Sequence, residues 1–304
     1  MKNILIIFCL SAIALTSCES FFSQTVEIDP PAYDKQLSLH LNLTDRDTAV
    51  NLVLSRNYGI LEYVDDEEDY YVKGGAVQVL KNGQPWLELH PVNADSSFYF
   101  SGILPEPFQI GQTYELRATH PNFPEVRATQ VVPGDFQADS ARVKRQSASG
   151  PFGEQYDLVE VYLKDPAGVK NYYEITMYGI YYWVVQNPNT NELDTLDVGY
   201  YPIFADQYSD PAVQEGYEGG ALFSDQFFEG QAYKFQAQVY SNGDLQYFIR
   251  IKNVTEDYFK WSRSYQDKRD SEENFLAEPV SVFHNLENGL GIFTVAKERV
   301  LIAQ

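Results

Sequence analysis

Cys18 has the most specific chemistry of any residue in this sequence. It follows Leu15-Thr16-Ser17 and closes an apolar run over residues 4–15 that begins just after Lys2. Diacylglyceryl transfer needs a thiol, and the peptidase that cuts before that thiol needs small neighbours. Both sit here at the end of a stretch too short to cross a bilayer, which takes about 20 apolar residues. Residues 1–17 therefore read as a secretory signal and Cys18 as an acylated N-terminus. Acyl chains contribute about 0.8 kcal/mol per buried CH2, so more than one anchors stably. Cys9 leaves with the signal, and no thiol remains for a disulfide or a cysteine metal site.

The other reactive residue types form no constellation. His40, His90, His120 and His284 are not at metal-helix spacing. There is no nucleophile elbow, phosphate loop or dinucleotide fingerprint. The acidic run at 65–69 lacks the spaced ligands of a calcium loop and reads as solvated charge. No metal and no cofactor are expected. A pair of carboxylates could meet anywhere among 43 acidic residues, which keeps a hydrolase as the least favoured alternative. The net charge of −21 argues against nucleic acid as a partner.

Tyrosine offers binding rather than catalysis, and there are 23. In the stretch 172–185, Ile175, Met177, Tyr181 and Trp183 share one strand face. The opposite face starts polar at Glu174 and Thr176, then turns to Tyr178, Ile180, Tyr182 and Val184. A strand with one face in water keeps that face polar, so this second face is covered or sticky. A long segment of weak periodicity follows and carries Tyr200, Tyr201, Phe204, Tyr208 and Tyr217. Segments of such length are commonly functional. Tyr182, Tyr200, Tyr201, Tyr208 and Tyr217 are the candidate ligand- or partner-binding residues, since tyrosine joins rigid contact area to a polar tip. The alternative is that these rings fold back on Tyr178 and Tyr182 as a local core.

The elements that must position these residues are β-strands. Leu37, Leu39, Leu41 and Leu43 alternate with polar residues, and Val50, Leu52 and Leu54 repeat the period. Asn82-Gly83 between apolar runs predicts a tight hairpin. Further strands are expected near 98–100, 114–118 and 126–132. Tyr114 after Gly111 fits a tyrosine corner. That spacing predicts an immunoglobulin- or fibronectin-like sandwich over 36–135. The polar, Ser- and Gly-rich stretch 133–153 marks a boundary, and a second β domain runs over 154–304. Gly111-Gln-Thr-Tyr114 is echoed by Gly230-Gln-Ala-Tyr233, each at a strand entry. One helix is expected at about 255–269, capped by Asn253 or Thr255, with Tyr258, Trp261, Ser262 and Tyr265 on one face. A closing hairpin is expected from Val280, Val282 and residues 292–295. Residues 18–35 read as a lipidated tether, roughly 55 Å if fully extended. The fold class is all-β, with two sandwich-like domains and one short helix.

The C-terminal motif Phe275-Leu-Ala-Glu278-Pro279-Val280, followed by Asn285-Leu286-Glu-Asn288-Gly289-Leu290-Gly291-Ile292-Phe293, resembles the signature of a Bacteroidetes lipoprotein family catalogued as domain of unknown function 4249. Val26-Glu27-Ile28-Asp29-Pro30-Pro31, Gly75-Ala76-Val77 and Phe227-Phe228-Glu229-Gly230 are similar to it as well, and Cys18 matches its bacterial lipobox. The resemblance implies an outer-membrane lipoprotein, often encoded beside TonB-dependent transporters, and supplies no catalytic residue. The expected function is a non-enzymatic accessory that binds a ligand or partner for such a transporter, held to outer-membrane lipid through Cys18. A structural or adhesion role in the envelope is the alternative. Asn288, Gly289 and Gly291 are read as turn residues.

Overall fold

The computed structural model of the protein describes residues 32–59, 62, 67–93, 97–186, 193–241, 243, 245–272, 277–278 and 280–303. Cys18, the 1–17 signal and most of the 18–35 tether lie outside the described residues, as do Asp65, Asp66, Phe275 and Pro279. The chain divides into two compact units, Met1–Asp34 with Tyr58–Tyr63, and Lys35–Asn57 with Val64–Gln304. Every strand and helix below belongs to the second.

The strands follow the apolar alternation. In chain order they are β1 (Leu37–Thr44), β2 (Ala49–Val53), β3 (Ser55–Arg56), β4 (Ala76–Lys81), β5 (Gln84–Pro91), β6 (Tyr99–Ile103), β7 (Thr113–His120), β8 (Phe123–Val131) and β9 (Gln137–Ser149). After them come β10 (Gln155–Lys164), β11 (Tyr172–Gln186), β12 (Leu193–Ile203), β13 (Ala205–Tyr208), β14 (Gln214–Glu215), β15 (Ala221–Ser224), β16 (Ala232–Tyr240) and β17 (Gln246–Val254). Helix α1 (Glu256–Glu272) leads to β18 (Gly289–Ala303). Among the described residues the fold is all-β with one α-helix, near the C-terminus, as the sequence implies.

These strands form an eight-stranded, a six-stranded and a four-stranded sheet. The eight-stranded sheet runs β14-β15-β11-β17-β18-β1-β3, with β12 also on β11. From β14 to β1 its register keeps odd-numbered residues on one face and even-numbered residues on the other. Leu37 pairs with Gly289, Tyr247 with Ala303, and Tyr172 with Val254. The odd face carries two cores side by side. Leu37, Leu39, Leu41, Leu43, Phe293 and Val295 pack with the six-stranded sheet. Tyr173, Ile175, Met177, Tyr247, Ile249 and Ile251 pack with the four-stranded sheet. Each such side chain taken out of water contributes about 1.5–3 kcal/mol.

This sheet crosses the expected 36–135 and 154–304 division. β1, the first strand of the expected N-terminal sandwich, lies parallel to β18, the last strand of the chain. The stretch read as a boundary holds β9, an edge strand of the four-stranded sheet. Only Ala141 of its 13 residues is buried, so it carries no apolar period and is held by its backbone pairing to β10. The expected closing hairpin does not form. Residues 280–286 are not strand, and Val282 and Phe283 pack beneath α1, where the Phe283 N–H donates to Ser264 Oγ at 2.8 Å. β18 instead pairs with β1 over residues 289–296 and with β17 over residues 297–303.

Local signals are realised closely. Asn82 and Gly83 both have positive φ, at 50° and 78°, as a tight two-residue hairpin requires. Thr255 caps α1, with its Oγ1 accepting from the Tyr258 N–H at 3.3 Å. Tyr258, Trp261 and Ser262 are the buried residues of the helix.

Candidate functional site

Among the described residues, the even face of the eight-stranded sheet is covered at one end only. There α1 packs Tyr258 and Trp261 on Tyr172, Val254, Ile292 and Ala296. Beyond the helix the same face emerges with Tyr178 and Tyr182 on β11, Phe248 on β17, Ile302 on β18, and Val198 and Tyr200 on β12. The pairings Tyr178 with Phe248, Ile180 with Tyr200 and Tyr182 with Val198 place them together. Tyr182 and Tyr200 are each 53% exposed and Ile302 is 52% exposed. The Tyr200 and Phe248 rings lie 5.1 Å apart, and those of Tyr178 and Phe248 6.2 Å apart. These three rings line one wall of an open groove of about 430 Å³, whose other wall is Thr44, Arg46, Asp47, Arg250 and Glu298.

The charged wall is the edge of a buried ion-pair network. Arg250 donates to Glu298 Oε2 from Nη2 at 2.9 Å and from Nε at 3.2 Å. Lys252 Nζ sits between Glu218 Oε1 at 2.8 Å and Glu174 Oε2 at 3.1 Å. The Tyr258 hydroxyl donates to the other Glu174 oxygen at 2.7 Å. Burial opposes the charge on Arg250 and Lys252, but their carboxylate partners outweigh it and hold both pKa values up. Glu174 is enclosed completely, and burial raises its carboxyl above the usual range despite Lys252. Burial acts the same way on Glu218, but there Lys252 prevails and the pKa falls. One ammonium shared by two carboxylates thus favours the charged form of the more exposed acid. A chamber of about 90 Å³ lies against Lys252, Glu218 and Tyr258, and it shares Thr44, Asp47 and Arg250 with the groove.

The five candidate tyrosines separate into three places. Tyr182 and Tyr200 stand on the open even face; the Tyr182 hydroxyl donates to Gln246 Oε1 at 3.3 Å. Tyr201 and Tyr208 are half-buried and pack against the core beneath the odd face. Tyr201 faces inward because its register sets it on the core side opposite Gly179, whose missing Cβ leaves room for the ring. Burial pushes the Tyr208 phenol up to about 12. Tyr217 stands apart beside α1, 4.5 Å from Trp261, 4.9 Å from Tyr265 and 5.4 Å from His40. Burial lowers the pKa of His40, with Glu218 pulling the other way.

Sequence reasoning missed Arg250, Lys252, Glu218 and Glu298. A signal for two of them exists: Arg250 and Lys252 interrupt the largely apolar stretch 247–254 at alternate positions, so both face one way. Nothing local pairs them with Glu298 on β18 or Glu174 on β11.

No curated protein sequence matches the chain. A family model, described as Domain of unknown function (DUF4249), matches residues 23–301. That span takes in all three sheets, α1 and the groove. The chain therefore belongs to the DUF4249 family.

Proposed function

We propose that the protein is a non-enzymatic, lipid-anchored binding protein of the outer membrane that serves as accessory to a TonB-dependent uptake system. The observation that carries this reading is the end of the even sheet face that no described residue covers. A contiguous aromatic surface beside fixed polar groups is costly to leave in water and is typical of ligand and partner sites. Tyr182, Tyr200, Phe248 and Ile302 supply the apolar part, and Arg250 and Glu298 the polar part. Cys18 after Leu15-Thr16-Ser17 supports the anchor, and the resemblance to envelope lipoproteins supports the transporter as partner.

Two linked measurements test this. Mass spectrometry of the membrane-extracted protein should find acylated Cys18 at its N-terminus, and Cys18→Ala should leave uncleaved or released protein. Affinity purification of the intact lipoprotein after mild cross-linking should bring down an outer-membrane transporter in stoichiometric amount. Cleavage elsewhere without acylation removes the anchor. Reproducible purification of the lipoprotein alone removes the accessory role and favours the structural alternative.

A further inference from the structure

We infer that the groove beside Tyr200 and Arg250 is a subsite for the ring of a neutral sugar. This deepens the accessory reading and rests on it for its biological setting. The groove of about 430 Å³ falls within the range of about 300–1,000 Å³ of small-molecule sites.

Its chemistry discriminates among ligand classes. An ionic ligand needs charge left over, and here the cations and acids already face one another. Arg250 is held by Glu298 at 2.9 Å, Arg46 Nε lies 3.9 Å from the other Glu298 oxygen, and Lys252 is shared by Glu174 and Glu218. An anion would also meet Asp47 and Glu298, and a cation would meet Arg46 and Arg250. A wholly apolar ligand would strip water from that wall without replacing its hydrogen bonds. A polyol in a pyranose ring meets both walls. Its C–H face lies on the Tyr200 and Phe248 rings, while its hydroxyls accept from guanidinium and donate to carboxylate without disturbing the charge balance. Asp47 is already oriented, because its Oδ2 accepts from the Thr44 N–H at 2.6 Å. The small chamber beyond Arg250 has room for a ring substituent, not a second ring.

Saturation-transfer NMR and titration calorimetry on the full-length protein test the subsite. The probes are neutral hexoses, pentoses and N-acetylhexosamines, with glucuronate and glucosamine as charged counterparts. At least one neutral sugar should bind and outcompete its charged counterparts. Tyr200→Ala should weaken it roughly tenfold, the scale of one lost stacking contact. Tyr200→Phe should keep most of the affinity. Phe152→Ala, on an exposed turn remote in sequence from the groove residues, should change nothing. The inference is overturned if no neutral sugar binds, if the charged sugars bind as well, or if Tyr200→Ala binds like wild type. Loss of sugar binding with the transporter still co-purifying would sink the subsite alone. Sugar binding without a transporter would sink the accessory role alone.

Discussion

Tyr114 and Tyr233 occupy the same position in an echoed motif, yet their hydroxyls serve different ends. Gly111 and Gly230 both adopt positive φ, at 73° and 69°, and turn the chain into β7 and β16. The Tyr114 ring is fully buried, and its oxygen accepts from the Gln109 N–H at 3.0 Å. This is the expected corner, tying strand entry to upstream backbone. Tyr233 is only half-buried and donates to Asp210 Oδ2 at 2.7 Å. Its partner is a side chain, so the second corner is not a copy of the first. Tyr114→Phe leaves a backbone N–H without a partner inside the protein and should cost about 1 kcal/mol or more. Tyr233→Phe, with water able to reach Asp210, should cost less. Urea denaturation of both variants checks the order; equal costs would contradict the distinction.

At the scale of elements, the parallel pair β1 and β18 depends on one glycine. Gly291 was expected to belong to a turn with Asn288 and Gly289. It lies instead inside β18 opposite Leu39, with φ of 109°. A Cβ there would strike the Leu39 carbonyl oxygen. The glycine therefore permits a close approach of two backbones as well as a conformation that side chains rarely adopt. Gly291→Ala should destabilise the fold by about 3 kcal/mol or more, through strain and displaced pairing together. Gly243→Ala, also at positive φ but with open space around its Cβ, should cost markedly less. Thermal unfolding of the two variants separates the crowding from the φ preference, and similar losses would show that crowding at Gly291 is unimportant.

At the scale of the whole molecule, the eight-stranded sheet belongs to both cores. Its odd face packs the six-stranded sheet through β1 and β18, and the four-stranded sheet through β11 and β17. Loss of β18 would open an edge in each core at once. The unit Lys35–Asn57 with Val64–Gln304 should therefore unfold in one cooperative transition rather than two. Native-state hydrogen exchange of the buried amides in β4 and β16, one from each core, should report the same limiting opening free energy. Two separate limits would mean that the shared sheet does not couple the cores. By the same argument, Tyr114→Phe should lower the midpoint of the whole unit, not of residues 36–135 alone.

The sequence by itself determined those features whose physics is local. The leucine alternation over 37–43 decides which residues of β1 turn inward, because successive side chains point to opposite faces. Asn82-Gly83 decides its hairpin, since few residue pairs accept two positive φ values. The cap signal at Asn253 and Thr255 sets the start of α1 to within two residues, and the structure selects Thr255. The apolar second face of β11 was also legible, and with it Tyr182 and Tyr200. Only the tertiary structure decided which strand lies beside which. Alternation assigns a face and carries no address for a neighbour, so the pairing of β1 with β18 had no trace in either segment. The same limit hid β9, whose polar sequence is held as an edge by β10, and the groove itself. Arg250, Glu298 and Tyr200 come from three strands, and the register between those strands sets the distances among them.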